Sequence, residues 1–270
     1  MPCPYSTDGG TVMKILVCVK SVPDRQSSFR VNAAGTGYEE RGLVFGVNEY
    51  DLFAMEEAVR IRERFREVEI AAVTVGPPRA EAALRKAMSL GATDGVLIDD
   101  SNGRATSALA VASLIAAWAR DKKFDLVLCG VLSEDLQRGQ TGPMLAQLLR
   151  LPCATTVIAE QIAEDRKSIT CERELEGGMR ERVALPLPAL LTVQSGINTP
   201  RYASLTNVLR VKQLTIPSIP TASLGEIPNS ETTLRAFLPE RSAICEFLEG
   251  DLDRIAEQLL EKVRARVPVW

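Results

Sequence analysis

The sequence contains no histidine at all. That absence removes Ser-His-Asp and Cys-His nucleophile systems, His-ligated metal sites and the side chain best suited to proton transfer near neutral pH. Acid–base work would fall to Asp, Glu or Lys, and the composition points to a binder or carrier. CxxC spacing is missing too. The six cysteines (Cys3, Cys18, Cys129, Cys153, Cys171 and Cys245) are scattered, several of them inside apolar strands, as buried free thiols are. There is no excess of base: 32 basic and 35 acidic residues are intermixed at a net charge of −3, leaving no face to attract nucleic acid or an anionic membrane. No apolar run approaches the about 20 residues of a membrane span. The opening MPCPYSTDGGTV lacks both the apolar core of a signal peptide and an Arg-rich amphipathic pattern, so the expected location is cytoplasmic. Residues 1–12 are expected to form a tail, with Met13 directly before the first strand and itself a candidate start.

What is present is 46% hydrophobic residues in a chain of 270, enough for one large α/β domain with an appendage. KILVCV (14–19), EIAAVTVGP (69–77), GVLID (95–99) and DLVLCG (125–130) read as buried strands. Between them the spacing predicts helices over the run from Asn48, over 79–89 and over 105–120. In the first, Asn48 is the expected cap and Leu52, Met55 and Val59 the buried stripe. Val31 to Phe45 reads as a hairpin excursion with its turn near Gly35–Gly37. Strands apolar on both faces that alternate with helices call for a parallel sheet between helical layers. After a helix at 142–149 the pattern changes to ATTVIAEQI, a hairpin turned at Gly177-Gly178, and ALLTVQ (189–194), expected as antiparallel pieces on the sheet edge. The segment 214–233 reads as an extended Pro-rich arm. It is followed by an amphipathic helix capped by Asp251, with Ile255, Leu259 and Val263 on one stripe that its own domain or a partner subunit must cover.

In such sheets ligands bind outside the carboxyl ends of the strands. The candidate rim comprises Cys18 to Lys20, Val47 to Asp51, Val75 to Pro77 and the loop Leu132 to Thr141. A helix beginning at Gln140-Thr141-Gly142 offers unpaired amides and a partial positive charge to a phosphate, and Gly139 and Gly142 let backbone come close to an anion. The alternative is that both glycines only make the turn, with Pro143 in the first helical turn. Each neighbour has two readings as well. Asp135 bonds a ribose or satisfies loop amides; Tyr50 stacks on a ring or packs; Lys20 meets a phosphate or stays a solvated charge. Ile197, within SGINTP, either tucks onto the sheet or stands exposed for a partner.

Taken in order, KILVCVKSVPD, NEYDLFAMEEAVR, TVGPPRAEAALRKAMSLGATDGVLI, GVLSEDLQRGQTGPMLAQLL and LPALLTVQSGINTPRYASL resemble the β (small) subunit of electron-transfer flavoproteins over about residues 13–213. The resemblance implies a Rossmann-like domain over 13–213, and an arm and helix over 214–270 that wrap onto an α subunit. It implies FAD shared with that subunit, which accepts electrons from dehydrogenases and passes them to a quinone reductase or another acceptor. It also implies a structural AMP on this chain, or a second FAD in bifurcating relatives. By position, the nucleotide contacts of the family fall on Cys18, on Asn48, Glu49, Tyr50 and Asp51, on Val75, and on Gly130 to Thr141, which includes Ser133, Asp135, Gly139 and Gln140; Gly142 follows. Tyr50 takes the place of an aromatic beside the interfacial flavin, and a second tyrosine position of the family is Arg25 here. The exposed hydrophobe of the dehydrogenase-docking loop falls on Ile197. The chain departs from the family loop pattern GxQAxDxDxxQTG at Leu132, Ser133, Glu134, Leu136 and Gln137 while keeping Asp135, Gln140, Thr141 and Gly142. The DGDTAQVG pattern of the bifurcating form is absent, which favours AMP.

Overall fold

The computed structural model describes residues 12–65, 67–226, 228, 231–239 and 245–266, so the expected tail, apart from Val12, lies outside the described residues. In chain order the elements are β1 (Met13–Cys18), β2 (Ser21–Pro23), β3 (Phe45–Val47), α1 (Glu49–Arg64), β4 (Val68–Gly76), α2 (Glu81–Leu90), β5 (Asp94–Asp99), α3 (Ala108–Ala119), β6 (Leu126–Gly130) and α4 (Thr141–Leu149). Then come β7 (Cys153–Ile162), β8 (Ser168–Glu174), β9 (Arg180–Pro186), β10 (Ala189–Val193), α5 (Leu205–Gln213), β11 (Ser218–Pro220) and α6 (Leu252–Arg266). The chain divides into two units. One takes in the described residues up to Phe29 and from Glu40 to Thr233; the other takes in Arg30–Glu39 and the described residues from Leu234 on.

In the first unit the sheet order is β11-β5-β4-β1-β6-β10-β7-β8-β9. The strands from β11 to β7 pair in parallel, and β8 and β9 continue antiparallel. Alternation along β1 divides the core between the two faces. Ile15 and Val17 pack with Met55, Ala58 and Ile61 of α1 and with Leu84 and Met88 of α2. Leu16 and Cys18 pack with Leu114 and Ile115 of α3 and with Leu145 and Ala146 of α4. The α/β sandwich expected from the periodicity is therefore present, with helices on both faces.

Three sequence expectations are corrected. β10, expected among the antiparallel edge pieces, is an interior strand parallel to both β6 and β7. All of its residues are buried, and a strand apolar on both faces needs cover on both. The hairpin expected over Val31–Phe45 is not a continuous ladder. Its base is the antiparallel pair of β2 with β3, and in the other unit Val31 and Tyr38 form an isolated bridge. The segment from residue 214, expected as an extended arm rather than core, contributes β11 as an edge strand beside β5, with Ile216 and Thr221 buried. An edge position tolerates the flanking prolines because a missing N–H there breaks no interior ladder.

The second unit joins the tip around Gly35, which has φ +68°, to the C-terminal segment: the Ala236 amide donates to the Gly35 carbonyl at 2.7 Å. In α6 the Asp251 carboxylate accepts from the Arg254 amide at 2.9 Å, the cap read from the sequence. Along its stripe Ile255 is half-buried, and Leu259 and Val263 are exposed.

Candidate functional site

β1 lies between β4 and β6, and the paths leaving β1 and β6 diverge to opposite faces, through α1 on one and α4 on the other. Their separation opens a crevice at the carboxyl ends of the strands, the switch-point geometry that accommodates ligands. Cys18 and Gly130 end β1 and β6, Val75 lies one residue before the end of β4, and Asn48 to Asp51 open α1. The structure therefore brings these sequence-selected positions onto one rim.

The floor of the crevice is tied by Asp51. Its carboxylate accepts the Lys20 amide at 2.7 Å and the Gly130 amide at 3.1 Å, joining the exits of β1 and β6. Burial pushes its pKa from 3.8 up to about 7, although the two amides, Asn48 and the Lys20 charge pull the other way. Beside it the Cys129 thiol is held well above its usual range by a hydrogen bond with Cys18 and by burial, which makes it a packed thiol rather than a nucleophile.

Asn48 stands at the N-cap of α1, but its side chain caps nothing. Instead Nδ2 donates to the Leu132 carbonyl at 2.9 Å and Oδ1 accepts the Glu134 amide at 3.0 Å, pinning the loop after β6. The exchange is reciprocal, because Glu134 reaches back and accepts the Glu49 amide at 3.2 Å, satisfying the first turn of α1 from the loop. Asn48→Ala would leave two inward-facing backbone groups unpaired, at a cost of about 1–3 kcal/mol. Hydrogen exchange at residues 131–141 is expected to accelerate while β4 and β5 remain protected; unchanged exchange in the loop would refute this role.

Across the crevice the Lys20 ammonium donates to both Asp135 oxygens at 2.7 and 2.8 Å and to Ser133 Oγ at 3.2 Å. Asp135 also accepts the Leu136 amide. The two readings of Asp135 and of Lys20 thus meet in one ion pair that spans from β1 to the loop. Next to it lies a cleft of about 300 Å³ lined by the apolar Tyr50, Phe53 and Leu132 and by the charged Arg25, Glu49 and Glu134.

At the start of α4, Gln140 is the N-cap and makes no side-chain capping bond, and Pro143 in the first turn has no N–H. Gly139 is left-handed at φ +63°. Gly142 is buried, and a Cβ there would come within 2.5 Å of Thr192 Cγ2. Its small size therefore serves close packing of α4 on β10. Ile197 is half-buried against the core, with its carbonyl accepting from Arg60 at 3.4 Å. The solvent-facing hydrophobes of that stretch are Tyr202, 99% exposed, and Leu205, 74% exposed. They follow Arg201, whose guanidinium is locked onto Glu56 and Glu63 of α1. No described helix is long and apolar enough to cross a membrane.

The electron transfer flavoprotein domain matches residues 36–224 of this chain. The electron transfer flavoprotein subunit beta of Methylophilus methylotrophus is 32% identical over 257 residues, covering 92% of this chain and 97% of that protein. The mitochondrial subunit beta of Oryza sativa subsp. indica is 38% identical over 209 residues, covering 77% and 81% respectively. The Homo sapiens subunit beta is 34% identical over 215 residues, covering 79% and 83%. A domain match over most of the sheet unit, together with relatives that align over most of both chains, leads to one assignment: the chain belongs to the electron transfer flavoprotein family, with the beta subunits.

Proposed function

We propose that this chain pairs with an alpha subunit to form an electron carrier, seats AMP in the crevice between β1 and β6, and contributes one wall of a shared FAD site. Dehydrogenases would supply the electrons, and a quinone reductase or another acceptor would receive them. The observation that supports this most directly is the convergence of Cys18, Asn48 to Asp51, Val75 and Gly130 to Thr141 on one rim, beside a helix start without a side-chain cap. Those residues fit an adenylate. The amides of Thr141 and Gly142 and the Lys20 ammonium suit its phosphate, and Ser133 and Asp135 suit its hydroxyls.

Bound FAD would supply the electron-accepting chemistry. The chain itself would orient the ring against Tyr50 and Phe53, keep the rim rigid through Asp51 and Asn48, and offer a protein-docking surface after β10. In that surface Ile197 packs beneath while Tyr202 and Leu205 face outward.

The test is to co-express the chain with the alpha subunit of its own organism and to quantify nucleotides released from the purified complex. One FAD and one AMP per heterodimer are expected. Two FAD would replace the AMP assignment by the bifurcating form. A colourless chain that ignores the alpha subunit and turns over adenine nucleotide by itself would overturn the carrier reading altogether.

A further inference from the structure

The cleft beside Tyr50 carries a charge that the carrier reading leaves without a task. Arg25 lies just beyond β2, far in sequence from α1 and from the loop after β6, yet its guanidinium reaches both. It donates to Glu49 Oε2 at 3.1 Å and forms an ion pair with Glu134. The Arg25 side chain is 70% exposed and that of Glu134 only 12%. The cleft lining therefore holds one cation and two carboxylates together with the rings of Tyr50 and Phe53.

Resting on the proposed function, we propose that Arg25 is a positioning residue for charge that sets how readily the shared flavin takes up electrons. Tyr50 and Phe53 would offer a flat aromatic ring apolar contact, with Arg25, Glu49 and Glu134 lining the same cleft. Electron uptake adds negative charge there. The guanidinium would stabilise that charge directly and offset part of the negative charge of Glu49 and Glu134, which would oppose it. Once a second subunit covers the cleft, water screens these charges less and their effect grows.

The experiment equilibrates the purified heterodimer with a two-electron reference dye and reads both absorbances, so that no natural donor is needed. Relative to wild type, Arg25→Ala is expected to shift the equilibrium about tenfold towards oxidised flavin, with Arg25→Lys within about twofold. Glu134→Gln is expected to shift it the opposite way by about threefold. If Arg25→Ala fails to retain flavin, the Glu134→Gln shift decides. Equilibria within twofold of wild type in every variant that retains flavin would overturn the role of Arg25. A wild-type heterodimer without flavin would instead remove the carrier reading on which it rests.

Discussion

Gly130→Ala is expected to destabilise the α/β unit by about 3 kcal/mol and to abolish stable nucleotide binding. The last residue of β6 has the first turn of α1 directly against it. An added Cβ would sit 2.7 Å from Tyr50 Cβ, 2.8 Å from the Tyr50 carbonyl carbon, and closer still to Asp51 Oδ1. None of these is the loose end of a flexible chain. To make room, α1 would have to retreat, pulling Asp51 off the Lys20 and Gly130 amides and Asn48 off the loop. Urea unfolding followed by far-UV circular dichroism, together with nucleotide content, tests this. A variant with wild-type stability and full nucleotide would show that the contact is soft. Gly35, where an added Cβ meets nothing within 4 Å, provides the contrast: strain there would come from its φ of +68° alone.

Asp51→Ala is expected to have the second large effect, because it strips the acceptor from two backbone amides at the crevice floor, at about 1–3 kcal/mol for each. The pH dependence separates this loss of bonds from the cost of the charge. Unfolded, Asp51 ionises near 3.8; folded, it keeps its proton up to about 7. For an acid raised in this way, the folded state binds more protons than the unfolded state across that window. Stability from this group is therefore greatest below pH 4 and declines by about 1.4 kcal/mol per pH unit as pH rises towards 7. Asp51→Asn carries an uncharged mimic of the protonated acid, so its stability relative to wild type should improve with pH through the same window. The difference between the two proteins is the quantity to measure, because Glu160, also pushed up to about 7 by burial and by Glu57, titrates in parallel in both. A difference that stays flat from pH 4 to 7 would show that Asp51 is ionised throughout.

Local pattern was enough to recover the alternation of strands and helices, the Gly177-Gly178 turn, the Asp251 cap and the rim positions. Strand hydrophobicity, turn chemistry and i, i+3 capping are all written in neighbouring residues. β10 shows where that ends. ALLTV reads as a buried strand, but its place between β6 and β7 depends on which neighbours need a partner, and no window of its own sequence contains that choice. The same holds for β11, since a Pro-flanked triplet becomes an edge strand only where β5 offers a free side.

Asn48 and Glu134 make the division sharpest at the site. The type and position of Asn48 announce the start of a helix, and a helix does start there. Its side chain nevertheless serves a loop 84 residues further on, while the amide of the next residue is satisfied by Glu134 from that loop. Lys20 with Asp135, and Arg25 with Glu49 and Glu134, are likewise pairings across the crevice. Residue identities and short-range periodicity were enough for most of the strands and helices up to α4, because those follow from backbone hydrogen bonding and burial within a few residues, while the helix α5 was not read from the sequence. Which polar group answers which was settled only when the exits of β1 and β6 came together, because hydrogen bonds and charges act over a few ångströms of space, whatever their separation along the chain.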